Sequence, residues 1–141
     1  MADPPEPVWL TEREVAAINA LAVARFGGLS GEVRDQNILR AAMGRPLNKW
    51  HYDEPKPDLF ALAAAYCFAL VRGHPFHDGN KRTAYVAPIV FLDLNGIDCA
   101  PAQADIVKTK LGAAAGSVTE DQLADWFESN SAPSEPGPRG D

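Results

Sequence analysis

Between positions 73 and 84 the chain reads GHPFHDGNKRTA. Apolar helical sequence flanks it on both sides, so Arg72-Gly73 closes one helix and Asn80 or Lys81 opens the next. The backbone N–H groups of Gly79, Asn80 and Lys81 then have no carbonyl behind them. They carry the positive end of the helix dipole, roughly half a charge, which is the basis of an anion site. Gly79 lets backbone approach a ligand closely. Lys81 and Arg82 add full charges, and because basic groups at a helix start oppose the dipole, their placement favours an anion between them. Asp78 is a carboxylate beside that pocket, suited to a Mg²⁺ that bridges phosphates. His74 is a candidate general base. Phe76, the large apolar residue of the loop, is expected to anchor it to the core. Such a set suits phosphoryl or nucleotidyl transfer, where positioning and charge neutralisation do most of the catalysis.

Plainer readings stand beside these. Asp78 can be a helix cap, Lys81 and Arg82 a solvated first turn, and His77 and His51 solvated loop residues. Trp50 and Tyr52 read either as a local hydrophobic lid or as a docking surface for a target or inhibitor segment. His77-Asp78 also matches the metal doublet of an HD-type phosphohydrolase, with His51 upstream and Asp93 or Asp98 downstream. That reading leaves Asn80, Lys81 and Arg82 without a task. A further alternative is a non-catalytic module that binds phosphate or a nucleotide and regulates a partner.

The surrounding sequence is helical. Thr11 and Glu14 form a capping box, with Leu10 and Val15 as its hydrophobic staple, and this helix runs to about Phe26 before Gly27-Gly28. Asp35 caps a short helix through Ile38, Leu39 and Ala42 that ends at "GRP", 44–46. "LNKWHYDEPKP" follows as a polar loop with two aromatics. Asp58 caps a helix that is apolar on every side, hence buried and central. After the loop, Val86, Ile89, Val90 and Leu94 share a helical face that stops at Asn95-Gly96, with a kink expected at Pro88. A fifth helix starts near Pro101 and continues through Ile106, Val107 and Leu111. A sixth starts at the Thr119/Gln122 capping box, stapled by Val118 and Leu123, and carries Trp126 and Phe127. Strand alternation is nearly absent. The expected fold is all-α, one compact domain of about six helices over 8–130, with a disordered N-terminus at 1–7 and a disordered tail at 131–141.

Composition narrows the function. The chain has 141 residues, a net charge of −6 and a pI near 5.0, which excludes tracking along nucleic acid. Residues 72–82 run the other way: Arg72, Lys81 and Arg82 against Asp78 leave a local balance of +2. Such a spot fits a phosphate, not a polyanion. Cys67 and Cys99 form neither a disulfide framework nor a CxxC metal site. "MADPPEP" is acidic and proline-rich, so no leader peptide is expected, and no apolar run approaches the ~18 residues that span a bilayer. A cytoplasmic protein is expected.

The stretch HPFHDGNKR, 74–82, resembles the Fic signature His-Pro-Phe-x-(Asp/Glu)-Gly-Asn-(Gly/Lys)-Arg. Lysine at 81 resembles the death-on-curing (Doc) toxin branch. "GEVRD" at 31–35 and "LRAAMGRP" at 39–46 resemble the family's early helix and turn. The resemblance implies a helical fold, ATP, Mg²⁺ and transfer to a hydroxyl of another protein. It implies that His74 takes the proton of the target hydroxyl, that Asp78 holds the metal, and that Gly79, Asn80 and Arg82 bind phosphates while Lys81 narrows the pocket. In the Doc branch that lysine accompanies phosphorylation of a threonine of elongation factor Tu, with AMP transfer the Fic alternative. Fic AMP-transferases usually carry an arginine where this chain has Tyr85. The family's internal inhibitory pattern, Ser/Thr-x-x-x-Glu-(Gly/Asn), has no match here. The resemblance therefore implies restraint by a separate, Phd-like antitoxin segment.

Overall fold

A computed structural model describes residues 4–26, 32–102, 105–106 and 116–134. Among them are five helices and one small sheet: α1 (Glu12–Phe26), α2 (Gln36–Tyr52), α3 (Leu59–Gly73), α4 (Asn80–Leu94), β1 (Ile97–Cys99), α5 (Glu120–Ser129) and β2 (Ser131–Pro133). The helical architecture is the expected one.

The local start signals work as read. Thr11 Oγ1 accepts from the Glu14 N–H at 3.1 Å while Glu14 Oε1 accepts from the Thr11 N–H at 2.9 Å. Leu10 and Val15 are both buried beside that box. Thr119 and Gln122 make the same reciprocal pair at α5. Asp58 accepts from the Ala61 N–H at 2.8 Å and opens α3. That helix carries Leu62 to Cys67, Leu70 and Val71 in full burial and packs against α2, α4 and α5. It is the central helix its uniformly apolar sequence demands. α4 lies against α3 and α1 and stays helical through Pro88. Both cysteines are free and buried. No helix among the described residues is long and apolar enough to cross a membrane.

Three expectations are corrected. α2 does not stop at Gly44–Pro46 but runs to Tyr52 with Pro46 inside it. One turn beyond Pro46, Trp50 is 7% exposed. It meets Trp9 edge to face at 6.4 Å, and the Lys56 ammonium covers its ring at 5.5 Å. An indole buries about 200 Å², worth roughly 5 kcal/mol at ~25 cal/mol per Å². That exceeds the ~3 kcal/mol cost of an internal proline. Strands are also present: β1 and β2 pair antiparallel, Ile97 with Pro133, Asp98 with Ala132 and Cys99 with Ser131. Residues 131–133 thus belong to the fold and not to a tail. At the other end Pro7 is buried and Glu6 accepts from the Trp9 indole N–H at 2.8 Å, so ordered chain begins before residue 8. Of the helix expected from Pro101, Asp105 and Ile106 are helical, with Ile106 N–H bonded to the Ala102 carbonyl at 3.1 Å. Val107 and Leu111 lie outside the described residues.

Candidate active site

The chain leaves α3 through an unusual residue. His74 is the C-cap, with φ 51° and ψ 57°, and its N–H returns to the Leu70 carbonyl at 3.3 Å. It is the one non-glycine residue with positive φ among those described. Glycine normally takes this position, and a β-carbon there costs about 1–2 kcal/mol. The strain sits on the side chain expected to act as the base, a usual place for stored strain.

Residues 32–35 run beside the loop and fix its path. Val33 and Phe76 form an antiparallel bridge. The Arg34 and Asp35 N–H groups donate to the Pro75 carbonyl at 2.7 and 3.2 Å, and the His77 N–H donates to the Glu32 carbonyl at 3.2 Å. The Arg34 guanidinium donates to the His74 carbonyl from Nε at 2.9 Å and from Nη2 at 2.7 Å, and from Nη2 to the Gly73 carbonyl at 3.2 Å. Phe76 is 1% exposed and joins the core, as expected of the loop's anchor.

The far side of the loop is held by amides. Asn80 Oδ1 accepts from the Phe76 N–H at 2.9 Å and its Nδ2 donates to the Phe76 carbonyl at 2.8 Å. The Asn80 side chain is therefore a brace, and its main-chain N–H is what it offers an anion. Asn19, fully buried in α1, donates to the Asp78 carbonyl at 2.8 Å and to Thr83 Oγ1 at 3.0 Å. Thr83 Oγ1 in turn donates to the Gly79 carbonyl at 2.8 Å. Gly79 is the N-cap of α4 with φ 72° and no side-chain cap bond. A β-carbon on it would stand 3.0 Å from Asn19 Nδ2 and 3.1 Å from Val23 Cγ2, so both backbone and packing call for glycine. Asp78, which accepts from the Gly79 N–H at 2.9 Å, precedes the cap and is not the cap itself.

His74, His77, Asp78, Gly79, Asn80, Lys81 and Arg82 line one cavity of about 370 Å³. Every residue assigned to the site from sequence meets there except Trp50 and Tyr52. Helix-start amides, an ammonium and a guanidinium are all hydrogen-bond donors, the kind of group a phosphate requires. One carboxylate, Asp78, is what a Mg²⁺ shared with phosphates takes from protein. No three His, Cys, Asp or Glu residues among those described converge to hold a metal. The HD-type grouping of His77 and Asp78 with His51 and Asp93 or Asp98 is thus not assembled.

Tyr85, Trp50 and Tyr52 lie outside this cavity. Tyr85 is 2% exposed, edge-on to Trp126 at 6.0 Å, and brings no charge to the cavity. Its hydroxyl lies near the Cys67 sulfur without a well-formed hydrogen bond, and burial pushes both groups up in pKa. Trp50 belongs to the core and lines a groove with Lys56, Pro57 and Leu59, while Tyr52, 81% exposed at the end of α2, faces solvent. Arg34 and Asn19 were not singled out as site residues from sequence. Asn19 had a signal, since it shares a helical face with the buried Val15 and Val23.

The Fic/DOC family model matches residues 9–92, from Trp9 ahead of α1 to Leu92 near the end of α4. The chain belongs to the Fic/Doc family. As a Fic/Doc protein it is 36% identical over 118 residues to the protein kinase doc of Escherichia phage P1, covering 82% of this chain and 90% of that one. It is 38% identical over 92 residues to the toxin Doc of Mycolicibacterium smegmatis, covering 65% of this chain and 68% of that one. The matched span contains the whole cavity, so the resemblance carried by HPFHDGNKR extends over the elements that position it.

Proposed function

We propose that this Fic/Doc protein is the toxin of a type II toxin–antitoxin system and a protein kinase. It moves the γ-phosphoryl group of ATP to a threonine hydroxyl of a translation factor, elongation factor Tu, in the cytoplasm and halts growth. The observation that carries the reading is one cavity that holds a base, a carboxylate and an uncapped helix start with two cations. His74 takes the proton from the target hydroxyl, whose oxygen then bonds to the γ-phosphorus as the bond to ADP breaks. The amides opening α4, with Lys81 and Arg82, hold the phosphate charge, a contribution made by pre-placed dipoles and not by rearrangement. Asp78 holds Mg²⁺, which supplies further neutralisation.

Phosphoryl transfer is favoured over AMP transfer by three things. Lys81 sets an aliphatic stem and a charge where other Fic proteins have glycine, crowding the pocket against an α-phosphate at the attack position. A reversed nucleotide presents its γ-phosphate to the hydroxyl activated by His74. Tyr85 is turned into the core. The phage P1 relative is named a protein kinase. Restraint comes from a separate, Phd-like antitoxin segment, because the chain carries no internal inhibitory pattern.

The test is a bacterial lysate given the protein, Mg²⁺ and labelled ATP. Label from the γ position on a band of elongation factor Tu size, with none from the α position, is expected. Label from the α position alone makes the protein an AMP-transferase. ATP binding without label from either makes it a non-catalytic module.

A further inference from the structure

We infer that Arg34 is a positioning residue for His74, holding it in the left-handed conformation that turns the chain from α3 into the cavity. This rests on His74 being the base. Among the described residues the guanidinium is the one side chain bonded to the His74 carbonyl, with two donors at 2.9 and 2.7 Å, and it also takes the Gly73 carbonyl at 3.2 Å. These are end carbonyls of α3, which the helix itself leaves without donors. The cation also sits at the negative end of the α3 dipole. The fork bridges two successive carbonyls and so fixes the peptide that follows Gly73 and the one that follows His74. A lysine ammonium, a point charge on a flexible stem, lacks that planar two-point grip.

The side chain acts apart from the segment that carries it. The Arg34 and Asp35 N–H bonds to the Pro75 carbonyl and the bridge of Val33 to Phe76 are main-chain contacts. Asp35 independently caps α2 by accepting from the Asn37 and Ile38 N–H groups. Truncating Arg34 therefore leaves residues 32–36 and the loop paired, and removes the grip on residues 73 and 74. The anion-binding half of the cavity is held by Asn19, Thr83 and Asn80 instead. Loss of Arg34 thus misplaces the base and spares the phosphate seat.

Arg34→Ala and Arg34→Lys test this in the full chain. Transfer at saturating ATP should fall about 100-fold, the scale of a misplaced catalytic group, while the KM for ATP moves less than about threefold, because only binding common to ground and transition states sets it. By NMR the strong intraresidue HN–Hα cross-peak of His74, the mark of positive φ, should weaken in both variants while the remaining spectrum is retained. If Arg34→Ala unfolds, Arg34→Lys decides. A folded variant that keeps the cross-peak, or that raises the KM for ATP as much as it lowers the rate, overturns the inference. Wild-type protein that transfers nothing from ATP defeats the kinase reading alone, since the cross-peak still reports whether Arg34 holds His74.

Discussion

α3 and α4 are neighbours of equal length, and their starts are built in opposite ways. α3 begins with Asp58 in extended backbone, its carboxylate accepting from the Ala61 N–H. Negative charge meets the positive end of the dipole, and an orphan donor is satisfied. α4 begins with Gly79 in left-handed backbone, has no side-chain cap and no acidic residue in its first turn, and places Lys81 and Arg82 there. A glycine in place of a side-chain cap costs roughly 0.3 kcal/mol, and each base against the dipole roughly 0.3–1 kcal/mol. Those sums are a real share of a stability of ~5–15 kcal/mol. One helix end is finished by its own chain. The other has no side-chain cap, and the cavity of the proposed phosphate seat lies against that end.

Substitutions at the two ends should separate accordingly. His74→Ala should lose ~10²–10⁴-fold in transfer, the worth of a general base, with the thermal midpoint nearly unchanged; label transfer and a melting curve read both. Gly79→Ala should destabilise by about 1–3 kcal/mol, from a β-carbon at positive φ that also presses on Asn19 and Val23, and should weaken nucleotide binding with it. Asp58→Ala should cost ~1 kcal/mol by urea unfolding and leave transfer per folded molecule as it was. Were Asp58→Ala to reduce transfer as much as it reduces stability, the two helix starts would not be functionally distinct. His74→Gly should raise stability by about 1 kcal/mol from relief of left-handed strain, in an inactive protein. A loss of stability there would mean that the backbone of His74 is not strained.

Much of the cavity was legible because its parts are contiguous: His74, Asp78, Gly79, Asn80, Lys81 and Arg82 lie on one loop and one helix start. The capping boxes at Thr11 and Thr119 and the cap at Asp58 were legible for the same reason, being settled within four residues. What stayed hidden depends on distant partners. Arg34 meets His74 across 40 positions, and Asn19 meets Asp78 across 59. Pro46 reads as a helix end until Trp9 is known to pack on Trp50. β1 and β2, three residues each, are too short for alternation to show and exist because the Asn95–Gly96 turn and the end of α5 bring them together. The site thus follows from local chemistry, and its rigidity from contacts that no local pattern records.

The contrast between the two helix starts is measured most directly by an amide NMR titration of the full chain with ATP and Mg²⁺. The main-chain amides of Gly79, Asn80 and Lys81 should shift progressively and saturate together, while those of Leu59, Phe60 and Ala61 behind Asp58 stay where they are. Shifts at the α3 start, or none at the α4 start while ATP is bound, would contradict an anion seat at the head of α4.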